Sequence, residues 1–204
     1  MTQTASLRLS PPLVLATDGS TSAHVAQKLL YPVVQALELH SAIPEQPTLN
    51  IVMVQPRSPA RQKQKAVVAT ELEQNCEAVI EGNLDLSNPE NLLKQIAAEV
   101  PSGLSVSVEV RQGRPATEIL NYARSLQAGL IAVGHRGASA GIRDFLLGSV
   151  SSAIARYAAC SVLIARGQVA EIPTWQHVLL VVDGSPGTQQ AIALTRQLIP
   201  AGIQ

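Results

Sequence analysis

Five short runs of β-type composition, separated by helix-compatible stretches, constrain this chain more than any other feature. They are Leu13–Thr17 (LVLAT), Leu49–Val54 (LNIVMV), Leu104–Val110 (LSVSVEV), Leu130–Val133 (LIAV) and Ser161–Ala165 (SVLIA). From Ser20, the residues Ala23, Ala26, Leu30, Val33 and Leu37 keep helical spacing, with Ser20 or Thr21 as a natural N-cap. Pro32 lies inside that pattern and predicts a kink or a split. Residues 59–83 form the most polar helical stretch, with its charges on a solvated face. Pro89–Val100 and Pro115–Gln127 are further helical pieces, the latter with Ile119, Leu120, Ala123 and Leu126 as its apolar stripe. Strands alternating with helices predict the α/β class: an open five-stranded parallel sheet, doubly wound, with helices on both faces. Hydrophobic residues make up 46% of the chain but aromatics only 2%, so the core is aliphatic, as a buried parallel sheet requires. The strict alternation of LSVSVEV predicts a half-exposed or edge-proximal strand.

The stretch LIAVGHRGASAGIRDFLLGSVS, residues 130–151, carries the chemistry. A buried strand leads into Gly134, Gly137, Gly141 and Gly148, and a helix follows from Ser149. Glycine lets main-chain amides approach an anion with no Cβ in the way. The first amides of a helix lack internal partners and carry the positive end of its dipole. Strand, glycine loop and helix start in that order make a phosphate-binding design, although the glycines by themselves fit a plain turn equally well. The glycines do not follow G-x-G-x-x-G, and no Gly-Lys-Ser/Thr occurs. On an open α/β sheet a ligand sits beyond the carboxyl ends of the strands, here Thr17-Asp18, Met53-Val54 and Val133-Gly134.

Several function classes are excluded. Lys plus Arg and Asp plus Glu both number 15, so no phosphate-backbone partner is expected, and few aromatics leave no stacking platform for nucleic acid. The two cysteines, Cys76 and Cys160, form no C-x-x-C and read as reduced structural residues of a cytoplasmic protein. The N-terminus lacks a secretory apolar core, and no apolar run is long enough to span a bilayer. His24, His40 and His177 have no partners at metal-ligand spacing, so no metal site is expected.

The chain also begins to repeat itself. VLLVVDGSPGTQQAIALTRQL (178–198) aligns with LVLATDGSTSAHVAQKLLYPV (13–33) at an offset of 165, as from Asp18 to Asp183. Asp-Gly-Ser coincides, as do Ala26 with Ala191 and Leu29 with Leu194. The expected organisation is a flexible lead-in over 1–12, a complete domain over 13–166, a linker over 167–176, and the first strand and helix of a truncated second copy over 177–204. That final piece is too short to bury a core of its own.

The glycine stretch resembles the nucleotide loop of the universal stress protein family, G-x2-G-x9-G-S/T. Gly134 and Gly137 match its first spacing and Gly148-Ser149 its end; ten residues, Ala138–Leu147, stand where the family has nine. Asp18-Gly19-Ser20 after the first strand and Gly113-x-Pro115-Ala116 before a helix match as well. The resemblance implies an adenine-nucleotide alpha hydrolase-like fold and membership of the ATP-binding branch. ATP, with or without Mg, is the implied cofactor. Carried over by position, Thr17 and Asp18 stand at the ribose or adenine, and Val54 offers main-chain groups to the adenine edge. Gly134, Gly137, Gly148 and Ser149 hold ribose and phosphates, with Val150 and Ser151 at the helix start. His135, Arg136 and Arg143 stand in the loop, where a cation can meet phosphate charge.

Plainer roles stand beside these. Asp18 can cap the helix that follows, Ser149 can be only an N-cap, and His135 and Arg136 can be solvent-facing loop residues. The expected function is a regulatory, nucleotide-binding stress-response protein with slow or no hydrolysis, since no general base or positioned arginine is evident. The alternative is a dimerisation module of the same family that binds no nucleotide. The resemblance also implies a homodimer, or an intramolecular pseudo-dimer, through the strand near 161–165.

Overall fold

The structure is a computed structural model that describes residues 12–40, 48–56, 88–101, 104–136, 147–167 and 178–198. The polar helical stretch expected over 59–83, and Cys76 within it, lie outside the described residues, as do Gly137, Gly141, Arg143, His177 and nearly all of the lead-in and linker.

Five parallel strands form one sheet: β1 (Leu13–Thr17), β2 (Thr48–Gln55), β3 (Ser105–Gln112), β4 (Leu130–Gly134) and β5 (Ser161–Ala165), in the order β3-β2-β1-β4-β5. The helices are α1 (Thr21–His40), α2 (Pro89–Ala98), α3 (Pro115–Ser125), α4 (Ser149–Tyr157) and α5 (Pro186–Leu198). Residues alternate across a strand, so β1 sends Leu13 and Leu15 to one face and Val14 and Ala16 to the other. The first face packs with Leu49 and Ile51 of β2 beneath Val25, Ala26 and Leu30 of α1 and Leu93 and Ile96 of α2. The second packs with Val52, Ile131 and Val133 beneath Ile119 and Tyr122 of α3 and Ile154 of α4. Helices therefore cover both faces, and β1 is buried along its whole length.

Pro32 does not split α1, which runs unbroken over Thr21–His40. Proline removes only its own amide from the ladder, and Leu30, Val33 and Val34 on either side stay anchored in the core. The alternating strand is indeed an edge strand. On β3, Arg111 donates to Glu118 at 3.2 Å and Glu109 at 2.6 Å, and its guanidinium lies 5.3 Å from the centre of the Tyr122 ring. Glu118 and Glu109 hold the Arg111 pKa above its ordinary value against the opposing effect of desolvation.

The C-terminal piece corrects one expectation. Residues Val178–Val182 form no strand and lie outside the sheet, whereas α5 forms and its Leu194 packs on the α1 side of the core. β-type composition cannot make a strand without a neighbouring strand to take its main-chain hydrogen bonds.

Candidate functional site

The strand order places the site. β1 is followed by β2 on one side, yet β4 flanks it on the other, so the connections diverge between β1 and β4. Ala16 pairs with Val133 and Thr17 with Met53, which aligns the carboxyl ends of β1, β2 and β4. Val54 lies one residue past the end of the β1 ladder while still in register with Arg111 of β3.

At the end of β1 the chain reverses tightly. The Thr17 hydroxyl accepts from the Gly19 amide at 3.2 Å, and the Asp18 carboxylate accepts from the Ser20 amide at 3.1 Å. Gly19 has φ 78°, the left-handed region in which a Cβ is costly. Ser20 is the N-cap of α1: its hydroxyl accepts from the Ala23 amide at 3.3 Å. Asp18 lies exposed at the carboxyl end of β1.

β4 ends against α1. A Cβ on Gly134 would stand 2.6 Å from the Ser22 carbonyl carbon and 2.8 Å from the Ala23 amide nitrogen, so only glycine allows this approach. The next residue is the hub of the site. The His135 amide donates to the Ala165 carbonyl at 2.8 Å, and its Nδ1 lies 3.1 Å from the Ser22 hydroxyl. Its carbonyl accepts from the Gly148 amide and from the Ser151 hydroxyl, each at 2.8 Å. The His135 ring is thus engaged by α1. Arg136 follows, its carbonyl 3.5 Å from the Ser20 hydroxyl.

The start of α4 differs from the expectation. The N-cap is Gly148, with φ −65° and ψ 162°, and Ser149 is the first helical residue. Ser149 is therefore not the cap, because the extended backbone that a cap adopts belongs to Gly148. No side chain caps this helix. Val150 anchors it by packing on the core, and buried Ser151 faces inward to the His135 and Gly148 carbonyls. This leaves exposed Ser149 and the first-turn amides at the carboxyl edge of the sheet, at the positive end of the helix dipole.

The structure thus brings Thr17, Asp18, Gly134, His135, Arg136, Gly148, Ser149 and Ser151 to one edge, and Gly137 lies outside the described residues. Sequence reasoning missed Ser22 and the Ala165 carbonyl, both found only through their contacts with His135. No group of three or more metal-ligating side chains occurs among the described residues. No helix among them is long and apolar enough to cross a membrane.

Comparison with known proteins bears on this arrangement. The sequence model of the universal stress protein family matches residues 11–166. Universal stress protein YxiE of Bacillus subtilis is 42% identical over 73 residues, 36% of this chain and 47% of its own length. Universal stress protein Rv2005c of Mycobacterium tuberculosis is 35% identical over 116 residues, 56% of this chain and 38% of its own. The chain thus spans about half, or less, of the length of these curated relatives. Among solved structures, hypothetical protein MJ0577 aligns with a TM-score of 0.54 at 18% identity, over 79% of this chain and 99% of the other. A universal stress protein from Archaeoglobus fulgidus aligns with a TM-score of 0.59 at 18% identity, over 93% of this chain and 62% of the other. At such identities these two alignments establish the fold alone.

Proposed function

This chain belongs to the universal stress protein family, and on that premise we propose that it is a cytoplasmic regulatory protein that binds ATP in the crevice between β1 and β4. The observation that carries this reading is the start of α4, a helix N-terminus with no side-chain cap, fixed to the sheet through the His135 carbonyl. Phosphate oxygens accept from the amides of the first turn and from the Ser149 hydroxyl. Asp18, on the facing strand end, accepts from ribose hydroxyls or the adenine amine. Val54 supplies main-chain groups to the base, and Arg136 contributes positive charge. The His135 carbonyl positions Gly148 and Ser151. A magnesium ion comes with the phosphates as part of the ligand. The role read here is binding rather than turnover.

Binding biases self-association through the β5 edge, since an unpaired edge is a template for pairing. Residues 178–198 are read as the opening unit of a second domain copy, the repeat of Asp-Gly-Ser being the support. A thermal-shift titration with Mg-ATP, ADP and AMP tests the reading. Ligand at 100 times its Kd stabilises the fold by about 2.7 kcal/mol, whereas no shift with any of the three at millimolar concentration assigns the chain to the nucleotide-free alternative, an interaction module.

A further inference from the structure

The crevice between β1 and β4 lies at the carboxyl edge of the sheet. At the opposite end, where α3 and α4 lead into β4 and β5, a cleft of about 350 Å³ opens. Its volume is within the range of small-molecule sites. Leu120 and Ala123 of α3 and Ile131 of β4 give it an apolar wall, and the exposed ring of Tyr157, the last residue of α4, stands at its side. Alanines make the room, Ala128 in one turn and Ala159 in the other.

Two side chains at this cleft are not explained by the fold. Gln127 follows α3 with φ 53°, the one non-glycine residue in the left-handed region among the described residues. Its amide donates to the Arg124 carbonyl at 3.1 Å, and the Ala128 amide to the Ala123 carbonyl at 2.9 Å, a helix end at which glycine is the usual residue. The chain instead sets a long amide side chain there, against the cleft, in a backbone conformation that a Cβ disfavours. Arg124 is the only charged side chain on the lining. It donates to the Asn121 side-chain oxygen at 3.3 Å, a neutral partner, and makes no ion pair among the described residues. Burial pushes the Cys160 thiol up, so that group adds no negative charge. The Ala123, Arg124 and Ile154 carbonyls, near the ends of the two helices, already accept main-chain hydrogen bonds. The charge that a ligand meets is therefore the guanidinium.

We propose that this cleft binds a small carboxylate with an apolar body, an aliphatic or aromatic acid. The carboxylate takes the Arg124 guanidinium, whose planar fork matches it, and the Gln127 amide. The body lies on Leu120, Ala123 and Ile131, which removes apolar surface from water. The site is independent of the nucleotide reading, because it occupies the other end of the sheet.

The test titrates the full chain with benzoate, with octanoate and with benzamide, the neutral counterpart of benzoate, following amide chemical shifts. The proposal expects saturable shifts at Ala123, Ala128 and Cys160, with benzoate binding about tenfold tighter than benzamide. Arg124→Gln, at an exposed position, brings benzoate down to the benzamide level. Ala159→Phe, also exposed, fills the cleft and abolishes binding of all three while the fold persists. Gln127→Gly relieves the left-handed backbone, so it raises the denaturation midpoint while weakening benzoate. No saturable shift with benzoate or octanoate at millimolar concentration overturns the proposal. Equal affinity for benzoate and benzamide, or benzoate binding that survives both Arg124→Gln and Ala159→Phe, overturns it as well. Mg-ATP binding is read separately in the same samples, so either site can fail without the other.

Discussion

The Ser151 hydroxyl donates a 2.8 Å hydrogen bond to the His135 main-chain carbonyl, tying the first turn of α4 to the residue that follows β4. The Gly148 amide shares that carbonyl, so one acceptor joins both ends of the glycine loop. Ser151→Ala removes one of the two donors and leaves the carbonyl paired. The expected loss is therefore at the low end for a buried hydrogen bond, about 1 kcal/mol by chemical denaturation. The same variant weakens Mg-ATP binding several-fold, because the cradle is no longer held from inside.

Gly134→Ala tests the contact between the end of β4 and the start of α1. Its Cβ would meet main-chain atoms of Ser22 and Ala23, which cannot swing aside as a side chain can. Overpacking of this kind costs about 1–3 kcal/mol, read as a lower denaturation midpoint with an unchanged slope.

Asp18→Asn separates charge from shape. The Asn oxygen can still accept from the Ser20 amide, so the turn persists and stability changes by less than about 0.5 kcal/mol. Loss of the negative charge facing the nucleotide is expected to raise the Kd about tenfold, roughly 1.4 kcal/mol, measured by calorimetry.

The repeat turn has its own pH signature. Asp183 accepts from the Ser185 amide at 2.9 Å and the Thr188 hydroxyl at 2.8 Å; the Ser185 side chain foremost, then that amide and the Thr188 hydroxyl, lower its pKa from 3.8 to about 2. A carboxylate depressed in the folded state stabilises the turn above its unfolded pKa and loses that contribution as pH falls through the folded one. That contribution is therefore expected in full above about pH 4 and is lost as the pH falls towards 2. An NMR titration of the Asp183 carboxyl is expected to show its midpoint near 2; a midpoint near 3.8 contradicts the turn.

Much of this was legible in the residues because aliphatic runs bounded by glycine and proline leave few readings. β1 and β5 fall where LVLAT and SVLIA place them, and the alternation of LSVSVEV puts β3 at an edge. Three features were not legible. Ser149 carries the residue type of a cap, but the cap is Gly148, because the His135 carbonyl draws its amide back to the sheet. VLLVV reads as a strand at least as clearly as LVLAT, yet strand formation depends on neighbours that a local pattern cannot reveal. The engagement of His135 by Ser22 was equally hidden, since 113 residues separate them along the chain.

Calorimetric titration of the full chain with Mg-ATP, with amide chemical shifts followed in parallel, tests the nucleotide reading most directly. The expected result is saturable binding with the largest shifts at Ser149, Val150 and Ser151 and at Asp18. Absence of heat at millimolar nucleotide, or binding that leaves those amides unmoved, contradicts it.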